Sequence, residues 1–373
     1  MRPRHIYVHV PFCSRRCSYC DFSIAVRKSV PVGDFVRGLR GELALRFPGD
    51  EPWPVDTLYL GGGTPSRLGG AGVAAAIDAI RERISLAPDG EVTIEANPED
   101  ISAESVAGWR AAGVNRLSIG SQSFDDDVLR WMHRSHDAAA IARSVNTARS
   151  GGIENVSLDL IFALPESVPR DWAADVNRAL ELEPSHVSLY GLTVEPHTPL
   201  GKQTARGELA TPEDHRYEAE FLFAHQAMTS AGFDHYEVSN FGRPGRWSRH
   251  NSSYWTGAAY AGLGPSAHEF DGSTRRWNRA PYAEWLQLVD QRTDPIADQE
   301  LLTPENRVAE AVYLGLRTSG GLSVNPSDLG RVQPWIDAGW AARNETGALV
   351  LTALGWLRLD ALATDLTVVR SRY

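Results

Sequence analysis

All three cysteines of the chain lie close together, as Cys13-x3-Cys17-x2-Cys20. A disulfide framework would spread an even number of cysteines along the chain, so three clustered thiols point to a metal ion or a cluster. Three thiolates can hold three irons of an iron–sulfur cubane and leave the fourth iron free for a small molecule. A zinc site is the alternative; zinc wants four ligands, and His5 or His9 offers the fourth.

Other polar residues fall where a second ligand group would need them. The run Gly61-Gly62-Gly63-Thr64-Pro65 follows a strand-like segment. Glycines there let the backbone approach a ligand closely, although they also suit a plain strand-to-helix turn. Glu95 opens Glu95-Ala96-Asn97-Pro98 at a strand end, either aimed into a site or serving as a cap or surface acid. Gln122 lies just past another strand, and Arg134 twelve residues later suits a carboxylate partner. Asp159 sits inside the apolar run Ser157–Ile161, where an acid is costly unless paired. A ribose hydroxyl or a neighbouring backbone amide would pair it.

These residues need a frame. Strand patterns at Ile6–Val10, Thr57–Leu60, Glu91–Glu95, Arg116–Ile119, Val156–Phe162 and His186–Tyr190 alternate with helical patterns. The helical patterns cover Phe35–Phe47, Val73–Ile84, Ser102–Ala112, Asp126–Met132, Asp137–Ser150, Arg170–Leu182 and Thr211–Ala231, and Ser102 stands at an N-cap position. Six βα units in a row predict an α/β fold with a parallel sheet, as a full or partial barrel. The site then lies at the C-terminal ends of the strands.

The texture changes after residue 235. Residues 1–235 read as the barrel core and 236–294 as an aromatic and glycine-rich extension. Residues 295–373 read as an accessory domain, with a helix at Pro304–Arg317, a strand near Gly347–Thr352 and a helix at Ala353–Ala363. Helices followed by a small strand pair suggest a winged-helix-like fold there.

The bulk composition narrows the function. A net charge of −10 argues against nonspecific binding to nucleic acid or anionic membranes. No stretch reaches the ~18 consecutive apolar residues of a membrane helix. Met1-Arg2-Pro3-Arg4 is basic but no apolar signal-peptide run follows, so the expected location is the cytoplasm.

Several motifs occur together in one order. They are Tyr7–Cys13 through Cys20-Asp21-Phe22, the Gly-Gly-Gly-Thr-Pro turn, Glu95–Pro98, Leu189–Pro196, Tyr236–Phe241 and His250-Asn251-x-x-Tyr254-Trp255. The set resembles the oxygen-independent coproporphyrinogen III oxidase-like family of the radical S-adenosylmethionine superfamily, and within it most closely the heme chaperone branch, the HemW proteins. The resemblance implies a partial (β/α)6-type radical SAM barrel with a [4Fe–4S] cluster on Cys13, Cys17 and Cys20. It places S-adenosylmethionine on the open iron and carries over Tyr7, Gly62, Gly63, Thr64, Glu95, Gln122, Arg134 and Asp159 as cofactor contacts.

Two functions follow from the resemblance. One is a heme chaperone that passes heme to an acceptor protein, for instance a membrane respiratory component. The other is the oxidase, which decarboxylates two propionates of coproporphyrinogen III. Three features favour the chaperone. The oxidase branch carries a further cysteine where this chain has Phe22 after Asp21, and it has a longer segment before the cysteine loop. The third feature is the His250–Trp255 motif, which the chaperone branch uses for heme. Neutral imidazole is an axial donor to heme iron, and Tyr254 and Trp255 offer flat apolar surface to a porphyrin. The alternative for His250 is a loop histidine bonded locally beside core aromatics. The family alone suggests a cluster-dependent homodimer. The sequence departs from the family pattern at His133, at Ala163–Ser167 and at Ser266, where the family favours glycine or glycine-rich runs.

Overall fold

The computed structural model describes residues 3–49 and 51–371; Met1 and Arg2, part of the basic N-terminus, lie outside the described residues. Six strands form the centre of the structure: β1 (His5–Val10), β2 (Trp53–Gly62), β3 (Ile84–Ala96), β4 (Arg116–Gln122), β5 (Asn155–Phe162) and β6 (His186–Gly191). They pair in parallel and in sequence order. The fold is α/β, as the sequence rhythm predicts.

The sheet does not close on itself. Beyond β6 it continues through the short antiparallel strands β7 (Asp234–Glu237) and β8 (Asn240–Gly242), with β8 next to β6. On the other side β1 pairs in parallel with β9 (Tyr260–Leu263). Antiparallel strands β10 (His268–Phe270), β11 (Thr274–Asn278) and β12 (Ile296–Leu301) follow, giving twelve strands in one sheet. The sequence reading sees residues 236–294 only as an extension. Its strands are three to five residues long, too short to carry a clear period-two pattern. Strand β12 lies past Asp294 and still belongs to the large sheet.

The two faces of the six-strand core differ in chemistry. Val8, Leu60, Ile94, Leu117, Leu158 and Leu189 share one face and are buried in the main apolar core. Residues one step along share the other face: Tyr7, Tyr59, Thr93, Arg116, Ser157 and His186, with His9, Glu95, Ser118, Asp159 and Tyr190 nearer the strand ends. That inner face is mostly polar. Buried polar groups are costly without partners, so a lumen of this kind is built to hold something other than a hydrocarbon core.

The helices of the βα units are α1 (Val32–Arg46), α2 (Gly69–Arg81), α3 (Ala103–Ala111), α4 (Asp126–Trp131), α5 (Ala138–Ser150), α6 (Trp172–Glu181), α7 (Pro199–Ala205) and α8 (Asp214–Ser230). Helices α1, α2, α3, α5, α6 and α8 pack into the main apolar core, whereas α4 and α7 pack through Val128 and Leu200 with Ile161 and Leu164 in a second, smaller cluster. Ser102 caps α3 as expected and does so reciprocally with Ser105. Helix α9 (Arg249–Trp255) follows β8, and α10 (Tyr282–Asp290) follows β11. The chain ends in α11 (Pro304–Arg317), α12 (Leu329–Asp337), an antiparallel pair β13 (Ala341–Arg343) and β14 (Leu349–Leu351), then α13 (Ala353–Trp356) and α14 (Leu359–Arg370). Among the described residues no helix is long and apolar enough to cross a membrane.

His133, Ala163 and Ser266, three positions where the family pattern favours glycine, have φ angles of 59°, 55° and 61°. A side chain in that left-handed region costs of order 1 kcal/mol or more, which glycine avoids. The departures from the family pattern are therefore local strain and do not redraw the fold.

Candidate functional site

The C-terminal ends of β1 to β6 surround a cavity of about 460 Å³. Its wall includes Cys13, Cys17 and Cys20, and also Gly62, Gly63, Thr64, Glu95, Gln122, Arg134 and Asp159. Residues spread over about 150 positions of sequence thus meet in one place, at the strand ends where the alternating βα pattern puts a site.

The cysteines reach it on the loop that leaves β1. The Cys13 thiol lies 3.3 Å from the Thr64 hydroxyl, and Arg134 Nη1 lies 3.6 Å from Cys17 Sγ. The Cys20 amide donates to the Cys17 carbonyl over 3.4 Å, which closes a tight turn between two residues that both line the cavity. Burial pushes the Cys13 thiol above its ordinary pKa and the Cys20 thiol up to about 11. A metal that binds here must displace those protons.

Zinc fits the geometry poorly. At about 2.3 Å per Zn–S bond, thiolates on a single zinc ion stand about 3.8 Å apart. Among the described residues, the only group of three His, Cys, Asp or Glu side chains with ligand atoms mutually within 4.8 Å is Glu166, Glu213 and His215. At least one pair of the three thiols therefore lies more than 4.8 Å apart, wider than a single zinc ion needs. Neither histidine offered as a fourth ligand lines the cavity. His9 is held between the Tyr7 hydroxyl (3.2 Å) and the Ser23 carbonyl (3.0 Å), and His5 contacts Thr57 at 3.0 Å.

The opposite wall carries the polar residues. Glu95 accepts from the Tyr59 hydroxyl at 2.8 Å and from the Gly62 amide at 3.0 Å. Gly62 has φ +111°, a conformation that suits glycine and turns its N–H onto the carboxylate. Burial pushes Glu95 up to about 7, against the pull of those two donors. Asp159 accepts from Ser118 at 3.1 Å, and burial pushes it up to about 6. Arg116, buried in the lumen, opposes the burial effect on both acids.

Arg134 is held by two acceptors, Asn97 Oδ1 at 2.6 Å and the Gly120 carbonyl at 2.8 Å. Its Nε has no partner in the structure although it is buried. A buried guanidinium with a spare donor suits an anionic group on a ligand. Asn97 and Gly120 were not singled out as site residues by the sequence. A Cβ at Gly120 would lie 3.1 Å from Gln122 and 3.3 Å from Arg134, so the missing side chain lets these groups converge. A glycine inside an otherwise regular strand is the signal that would have found it.

Tyr7 and His250 stand elsewhere. Tyr7 is not on the cavity wall; its ring stacks against Tyr59 with centroids 6.1 Å apart, and so supports the residue that holds Glu95. His250 is buried, with 0% exposure. Its Nδ1 lies 2.7 Å from the Thr57 hydroxyl and its Nε2 2.8 Å from the Tyr254 hydroxyl. The Arg249 and His250 amides both donate to the Glu91 carboxylate at 3.0 Å, fixing the start of α9 to β3. Trp255 lies under the Arg317 guanidinium at 4.1 Å, which ties the motif to α11. The sequence reading offers this motif as an open platform for a porphyrin. In the structure its histidine is enclosed, and burial pushes it down to about 3.

Known proteins are similar to this chain in both sequence and structure. The pattern described as the Radical SAM superfamily matches residues 7–179. The heme chaperone HemW of Mycobacterium tuberculosis is 40% identical over 328 residues, which cover 86% of this chain and 83% of the relative. The heme chaperone HemW of Synechocystis is 37% identical over 332 residues, covering 87% and 80%. The solved structure of the Escherichia coli coproporphyrinogen III oxidase HemN, a radical SAM enzyme, gives a TM-score of 0.83 at 24% identity, covering 98% of this chain and 90% of that one. At that identity the structural likeness speaks for the fold alone.

Proposed function

The chain belongs to the HemW family of radical SAM proteins, and from that membership we propose that it is a heme chaperone. In this reading it holds a [4Fe–4S] cluster on Cys13, Cys17 and Cys20 with S-adenosylmethionine beside it, binds heme in the cytoplasm, and passes the heme to an acceptor protein. The observation that carries the chaperone reading is the identity to HemW relatives over most of the chain. Phe22 supports it, because it stands at the cavity wall where the oxidase branch has a cysteine.

When bound, the cluster and S-adenosylmethionine would supply one-electron chemistry at the cavity. The chain's own part is to hold and orient. Gly62, Gly63 and Thr64 offer backbone and hydroxyl groups, Glu95 an acceptor for an ammonium group, Arg134 and Gln122 donors for a carboxylate, and Asp159 an acceptor for hydroxyls. For His250 to ligate heme iron, its Nε2 would have to leave Tyr254 and α9 would have to move off β2.

The test is a pair of assays on the reconstituted protein. Heme added to the protein should give a Soret band that is lost as heme moves to an apo-protein acceptor. Coproporphyrinogen III with S-adenosylmethionine and reductant should remain unconverted; turnover to protoporphyrinogen IX would overturn the reading in favour of the oxidase. Repeating the heme titration with His250→Ala decides the ligand, since an unchanged spectrum removes His250 from that role.

A pH dependence follows from Glu95. Its folded pKa lies above the ordinary carboxylate value, at about 7, so the empty site holds a proton below that pH. An ammonium group needs the ionised form. Affinity for S-adenosylmethionine should therefore rise between about pH 6 and about pH 8 and then level off. Glu95→Gln should weaken binding about tenfold at the high end, the order of one charged hydrogen bond, and flatten the rise. Equilibrium dialysis across pH reads both effects.

A further inference from the structure

The segment that carries the cysteines has a locally basic surface. Net charge over the whole chain is −10, yet Arg15, Arg16, Arg27 and Lys28 stand exposed around the cysteine loop, with Asp21 the one acid among them. Arg67 joins them, donating to the Arg27 and Lys28 carbonyls at 3.4 and 3.3 Å. None of these five cations forms an ion pair among the described residues. In the middle of the patch Phe22 is 61% exposed and Val26 is 47% exposed.

The patch touches the proposed cluster ligands directly. The Arg27 amide donates to the Cys13 carbonyl at 2.9 Å, and Arg16 Nη1 donates to the Cys20 carbonyl at 3.2 Å. All cysteines of the chain are in this loop, so an electron that enters the cluster must come from outside through a nearby surface. Apolar side chains ringed by one sign of charge are the anatomy of a transient protein contact.

We propose that Arg15, Arg16, Arg27, Lys28 and Arg67, around Phe22 and Val26, form the docking surface for an acidic one-electron carrier protein. The proposal rests on the cluster reading above. The step moves one electron from the reduced carrier to the oxidised cluster, with no bond made or broken and no proton required. Opposite charge brings the carrier to this face despite the overall repulsion between two acidic proteins.

The sign of the salt effect tests this. Anaerobic stopped-flow would follow bleaching of the reconstituted protein by a reduced acidic [2Fe–2S] ferredoxin. The rate should fall about tenfold or more from low to high salt, as steered association does. The double variant Arg27→Glu with Lys28→Glu should lower the low-salt rate by about the same factor and reduce the salt dependence. Reduction by photoreduced deazaflavin, a small neutral donor, should be unchanged in the variant. A wild-type rate that is flat or rises with salt would overturn the docking proposal while the chromophore stands. A protein with no chromophore after reconstitution would instead sink the cluster reading, and the docking surface with it.

Discussion

Replacing Cys17 with alanine should abolish the brown chromophore of the reconstituted protein and reduce bound iron from about four atoms per chain to almost none. A site with three thiolates keeps no reserve: removing one leaves two ligands and an opening to water. Cys17 is the sharpest choice of the three because it sits between the other two in sequence and within 3.6 Å of Arg134 Nη1. Ser14→Ala, on the same exposed loop, should keep both iron and colour. The fold should survive Cys17→Ala, since the residue is only part-buried and its replacement is small. The circular dichroism spectrum and melting behaviour of the apo-protein should therefore match those of the wild type. Stoichiometric zinc with no visible absorbance in the wild type would overturn the assignment.

The cysteine site was legible in the sequence because its parts are local. Eight residues carry all three thiols, and each partner follows a strand whose apolar pattern is plain. A βα alternation puts such strand ends on one side of the sheet, so the sequence alone leads one to expect Thr64, Glu95, Gln122, Arg134 and Asp159 to converge. The parts that could not be read depend on contacts distant in sequence. His250 lies among polar and aromatic residues that read equally well as a ligand platform or as a packed core. Its enclosure is set by Thr57 and Glu91, which are more than 150 positions away. The short strands β7 to β12 had no pattern long enough to show. The sequence pattern predicts one helix over Ala353–Ala363, whereas the structure separates α13 from α14 at Leu357 and Arg358.

Glu42 is the clearest residue of this second kind, and its removal should cost the most stability. It lies on α1 in the buried stripe of Phe35, Leu39 and Leu43, where helical spacing asks for an apolar side chain. Its polar partners are all donors. Oε2 accepts from the Gly264 amide at 2.7 Å and from Trp285 Nε1 at 2.9 Å, and Oε1 accepts from Asn278 Nδ2 at 2.7 Å. Arg46 Nε lies 3.2 Å away, and Arg46 also binds Glu269. Burial pushes the Glu42 carboxyl up, and Arg46 with the three N–H donors pulls against that.

One side chain thus joins α1 to the turn after β9, to β11 and to α10. That turn supports the site, because a Cβ on Gly264 would lie 2.4 Å from the His9 carbonyl, on the strand that leads into Cys13. Glu42→Ala strands three N–H donors and half-frees a buried arginine, so a loss of about 3–5 kcal/mol is expected. Glu42→Gln keeps the volume but turns an NH2 group toward donors; it should cost about 1–3 kcal/mol. The melting temperature should fall in the order wild type, Gln, Ala, by several degrees at each step. Equal stability of Glu42→Ala and the wild type would show that the buried network is compensated elsewhere and contributes nothing to holding the extension against the barrel.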